Sequence, residues 1–97
     1  MKRLVFLELV AEEIRATSGI DFEIDPQQSN NFIIFHFPSS SHYIRFYMNR
    51  NDFIFMEHCM NGRSGRRSTF KSVRVDLEDP QMFQILIDKI IEWGFVK

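Results

Sequence analysis

The chain has one cysteine, three prolines and four glycines among its 97 residues. With Cys59 alone, no internal disulfide can form, and a lone thiol fits a reducing compartment. So few prolines and glycines leave no linker, internal repeat or low-complexity segment. Long apolar runs are missing too. Lys2 and Arg3 precede Leu4, Val5, Phe6 and Leu7 in the manner of a signal start, but Glu8 ends the run and Glu12 and Glu13 follow. Neither a signal peptide nor a membrane span is expected. Nor is one sign of charge in excess: 12 lysines and arginines stand against 13 acids, a formal charge of −1. That balance gives no global attraction to nucleic acid or anionic lipid. The chain reads as one cytoplasmic domain over 1–97, large enough to bury roughly 60–70% of its extended-chain surface.

Motifs of known chemistry are equally scarce. Asn61-Gly62-Arg63-Ser64-Gly65-Arg66-Arg67-Ser68 contains neither the Walker lysine nor the dinucleotide glycine spacing. There is no nucleophile elbow and no zincin histidine pair. No catalytic residue, cofactor or metal is therefore expected, and the chain reads as non-catalytic.

What the sequence does have is phenylalanine, 11 of them, six of which fall in three apolar runs between Asn31 and Met60. Phe32 to Phe37, His42 to Met48 and Phe53 to Met60 are rich in aromatic and β-branched residues, which favour strands. Pro38 with three serines, and Asn49-Arg50-Asn51-Asp52, supply turns between them. Short connections make the three strands antiparallel neighbours. Pairing Phe37 with His42 and Met48 with Phe53 sets Ile33, Phe46 and Phe55 on one face, followed by Phe35, Ile44 and Glu57, then Phe37, His42 and Cys59. That face is assigned to the core. The opposite face then carries Phe32, Ile34, Tyr43, Arg45, Tyr47, Ile54 and Met56, with His36 and His58 at its end. A turn that shifts by one residue would exchange the faces.

Around this meander the coarse order is helix, strand, three strands, strand, helix. Leu7, Val10 and Ile14 repeat at helical spacing over residues 2–17, and Gly19 stops the helix. Ile20, Phe22 and Ile24 alternate with Asp21, Glu23 and Asp25 as a strand with an acidic outer side. Three carboxylates in a row suggest a cation site, but no oxygen-rich loop accompanies them, so they read as a solvated edge. Thr69 to Leu77 forms a further strand. Asp79 is expected to cap the last helix with Pro80 in its first turn, and Gly94 to end it. The fold class is α+β: a two-layer domain with an antiparallel sheet of four to five strands and both terminal helices packed on it, in the order α-β-β-β-β-β-α.

Three constellations are candidates for function. His42 and Cys59 are cross-strand neighbours in the expected register, a pair able to ionise a thiol but short of a zinc ligand set. Residues 61–75 contain Arg63, Arg66, Arg67, Lys71 and Arg74 and no acid. With Tyr43, Arg45 and Tyr47 on an exposed strand face, they form a possible clamp for single-stranded nucleic acid. The third is the second sheet face itself. Antiparallel sheets usually turn a polar face to water. The tyrosines, methionine and arginine expected here match interface cores instead. The leading expectation is a protein-interaction or regulatory domain, a homodimer through Phe32, Ile34, Tyr43, Arg45, Tyr47, Ile54 and Met56.

Overall fold

The computed structural model describes residues 3–38, 40–61 and 67–95, with backbone alone at 61, 67 and 68. Helix α1 (Arg3–Ser18) leads into β1 (Glu23–Gln27), β2 (Phe32–His36), β3 (Tyr43–Met48), β4 (Phe53–Asn61) and β5 (Arg67–Asp76), and α2 (Met82–Glu92) follows. The strands form one five-stranded sheet in the order β1-β2-β3-β4-β5, and every neighbouring pair is antiparallel. The α-β-β-β-β-β-α order expected from the sequence is the observed one.

Both helices lie on the same face. Leu7, Val10, Ala11 and Ile14 of α1 and Met82, Leu86, Ile87 and Ile90 of α2 share a buried cluster with Ile33, Phe35, Ile44, Phe46, Ile54, Met56 and Val75 of the sheet. Much of the phenylalanine is spent here. Phe22 stacks on Phe35 at 4.6 Å, Phe35 meets Phe46 at 5.1 Å and Phe37 stacks on Phe95 at 4.2 Å. Rings of this size cover much apolar surface with few side-chain torsions to immobilise.

Gly19 ends α1 at φ 71°, donating its amide to the Arg15 carbonyl at 3.0 Å. Gly94 ends α2 at φ 84°, and the Phe95 amide reaches back to the Ile90 carbonyl, which turns Phe95 onto Phe37. The start of α2 differs from expectation. Asp79 accepts the Gln81 amide at 2.8 Å in a turn ahead of the helix, and Gln81 stands at the cap position without a side-chain cap bond. Pro80 belongs to that turn. At the other end of the sheet, β1 begins only at Glu23 and runs through Pro26, so Ile20 and Phe22 enter the core from the segment ahead of the strand rather than from the strand. An edge strand tolerates proline because one side of its backbone has no ladder to complete.

The expected register holds between β2 and β3, where Ile33 faces Phe46 and Phe35 faces Ile44. It fails between β3 and β4. Met48 pairs with Ile54, not Phe53. The turn is one residue tighter than expected: Asn49 donates its amide to the Phe53 carbonyl, leaving Arg50, Asn51 and Asp52 as the loop, with Asp52 at φ 62°. This is a three-residue hairpin whose last residue takes the left-handed conformation. Asn49 Oδ1 accepts the amides of Asn51 and Phe53, both at 3.0 Å, and fixes the loop. A one-residue shift turns every β4 side chain over. Ile54 and Met56, expected on the second face, are fully buried in the core, and Phe55 and Glu57 take their place outside.

Candidate interaction face

The face of the sheet opposite the helices is built from three rows. Phe32, Tyr47, Phe55 and Arg74 form the first, Ile34, Arg45, Glu57 and Ser72 the second, and His36, Tyr43 and Cys59 the third. Phe53 flanks the first row. Of the residues expected on this face, the structure places Phe32, Ile34, Tyr43, Arg45 and Tyr47 here, all half-buried. It adds Phe53, Phe55 and Glu57, which the shifted register had concealed.

These side chains cover one another. The Arg45 guanidinium lies between two rings, 4.8 Å from the Phe32 centroid and 4.5 Å from that of Tyr47. Its Nη1 donates to Glu57 Oε1 at 2.9 Å, and Tyr47 donates its hydroxyl to Glu57 Oε2 at 3.3 Å. Only 22% of the Arg45 side chain and 15% of the Glu57 side chain reach solvent, so the pair is far less screened than an ordinary surface ion pair. Arg45 Nε is sealed from solvent without a hydrogen-bond partner among the described residues. Tyr47 and Phe55 stack at 5.0 Å with an interplanar angle of 6°, and Arg74 sits 4.8 Å above the Phe53 ring. At the rim, His36 Nε2 lies 3.2 Å from Asp25 Oδ2. The result is a firm aromatic floor with one ion pair at its centre.

Comparison with protein-family models, curated proteins and solved structures found no match.

The His42 and Cys59 pairing does not occur. Tyr43 stands opposite Cys59, and the buried Cys59 thiol lies 3.6 Å from the Glu57 carbonyl oxygen and 3.7 Å from Thr69 Oγ1. His42 instead meets His58, with Nδ1 and Nε2 2.9 Å apart. The same register shift moved His58 to the helix side, where it packs on Phe70, Trp93 and Phe95. Burial lowers the His58 pKa from its ordinary 6.5, and the charges of His42 and Lys71 push the same way. No group of three or more metal-ligating side chains occurs among the described residues, which leaves Asp21, Glu23 and Asp25 without a cation cage there.

The expected basic clamp is only partly visible. Arg63 and Arg66 lie outside the described residues, as does the Arg67 side chain. Lys71 and Arg74 fall on different faces of β5, opposite His58 and Phe55 respectively. They do not line one track. Between the helices runs an apolar groove of about 370 Å³ lined by Phe6, Leu9, Val10, Leu77, Met82 and Phe83, which offers no group for chemistry. No helix among the described residues is long and apolar enough to cross a membrane.

Proposed function

We propose that this chain is a non-catalytic protein-interaction domain that pairs with a second copy of itself through the open sheet face. The observation that carries the reading is the set of half-buried Phe32, Ile34, Tyr47, Phe53 and Phe55 on a face that no helix among the described residues covers, centred on Arg45 and Glu57. Aromatic rings and arginine held rigid before contact lose little side-chain freedom on binding. The sign pattern supports a second copy as the occupant. Glu23, Asp25 and Glu57 share the face with Arg45 and Arg74, so a two-fold arrangement can set acid against base in both directions. A phosphate backbone would meet those three carboxylates as repulsion. The same reading puts the chain in the cytoplasm, where the single buried thiol stays reduced.

Sedimentation equilibrium tests this directly. The wild type is expected at twice 11.6 kDa, and the Tyr47→Asp, Phe55→Asp variant at 11.6 kDa with its circular dichroism retained. A wild type that stays monomeric up to ~100 μM would rule out a dimer of useful affinity.

A further inference from the structure

The two edges of the sheet are unlike. β1 is five residues long, contains Pro26 and carries Glu23 and Asp25. Short length, proline and charge are the ordinary means of closing an edge to other strands. β5 is ten residues long, pairs among the described strands with β4 alone, and carries no proline. A bulge at His58/Cys59 interrupts its upper part, but Lys71 to Asp76 continue in regular register. Along that stretch Lys71, Ser72, Arg74 and Asp76 are exposed, with Asp76 Oδ1 accepting the Glu78 amide at 2.9 Å, and Phe70 just above is 49% exposed. Every second amide and carbonyl of an edge strand points away from its sheet.

We propose that the β5 edge receives an acidic extended peptide segment as a sixth strand. Lysine and arginine repel a strand of like charge, and opposite charges set across a strand pair attract, so an acidic strand is the favoured partner of this edge. The face of each residue fixes the pattern required. A carboxylate opposite Arg74 lies on the open-face side. Aliphatic residues opposite Val73 and Val75 extend the apolar layer on the helix side, and a second carboxylate faces Lys71. Backbone pairing supplies the affinity and the alternate side chains the selectivity. The cations sit three residues apart on opposite faces, beside a row of backbone groups. That arrangement matches the two sides of a strand rather than the one-sided track of a phosphate chain.

The probe is a fluorescein-labelled, end-blocked peptide, Thr-Val-Glu-Ile-Thr-Glu-Val, titrated against the full chain by anisotropy. Saturable binding is expected, weakened about tenfold by combining Lys71→Glu with Arg74→Glu. Two N-methylated versions, each blocking one alternate set of amides, separate strand addition from simple charge attraction. One should lose binding and the other keep it. Equal retention by both, or no saturable binding by the parent peptide, overturns the proposal. So does a single-stranded oligothymidylate that displaces the peptide and shows the same loss with the two charge reversals. The Phe32→Asp variant, whose change lies on β2, three strands away from β5, should bind the peptide as the wild type does. Loss of binding there would place the peptide on the open face and remove the edge from consideration.

Discussion

The two faces of this sheet both carry large apolar side chains and treat them differently. On the helix side, Ile33, Phe35, Ile44, Phe46, Ile54 and Met56 are 0% exposed. On the open side, Phe32, Ile34, Tyr47, Phe53 and Phe55 keep part of their surface in solvent. The difference lies in what each face adds to its apolar residues. The covered face is apolar throughout its centre and meets two amphipathic helices. The open face places an arginine, a carboxylate and a phenol among its rings, and these form the Arg45–Glu57–Tyr47 network at its middle. Ring content alone does not mark a core. Rings with polar ends beside them mark a surface that can be wet or covered.

The contrast breaks most sharply in the core. Phe46→Ala is expected to cost about 3–5 kcal/mol, because it removes a fully buried ring from a layer whose neighbours cannot collapse onto the gap. Phe55→Ala removes a ring of the same size that is stacked on Tyr47 and partly in water, and about 1–2 kcal/mol is expected. Urea denaturation of the two variants, at a concentration where neither associates, gives the comparison. Equal losses would show that the open face is as enclosed as the core.

The ion pair sharpens the contrast further. Glu57→Leu leaves the Arg45 guanidinium in its ring sandwich without an acceptor, at a cost of about 2–3 kcal/mol. Adding Arg45→Met is expected to recover most of that loss, since an apolar pair of similar volume needs no compensating charge. A double variant no more stable than Glu57→Leu alone would mean that Arg45 acts by packing rather than by charge. If the recovered double variant also dimerises more tightly, the pair serves orientation more than affinity.

The layer order, the helices and the β2–β3 register were all legible in the sequence, because helical spacing, strand alternation and a proline-serine turn each point one way. The β3–β4 register was not, and a single residue explains why. Asn49-Arg50-Asn51-Asp52 reads equally as a four-residue loop or as a three-residue loop with Asp52 left-handed. Aspartate tolerates that conformation without requiring it, whereas glycine would have announced it. On this choice hung the faces of Ile54, Met56, Phe55, Glu57 and His58, and with them the candidate site. The His42–His58 contact could not be foreseen from the wrong register. Replacing Asp52 with glycine should stabilise the fold by about 0.5–1 kcal/mol by relieving the left-handed strain. A loss instead would show that the aspartate side chain holds the loop.

The smallest effect concerns pH, and it also separates the faces. His58 lies on the helix side against Trp93 and Phe95, and its burial disfavours the charged ring. With the folded pKa below the unfolded value of 6.5, the unfolded chain binds more proton between the two. Stability therefore falls as the pH drops through 6.5 toward the folded value, levels off below it, and is independent of His58 above 6.5. The charges of His42, whose Nδ1 lies 2.9 Å from His58 Nε2, and of Lys71 add to the same lowering of the His58 pKa. Urea midpoints at about pH 7.5 and about pH 5.5 should differ more for the wild type than for His58→Phe, which keeps the ring and removes the titration. Equal differences would mean that the histidine pair opens to water without disturbing Trp93 and Phe95, and that the helix side is closed less tightly at this corner than at its centre.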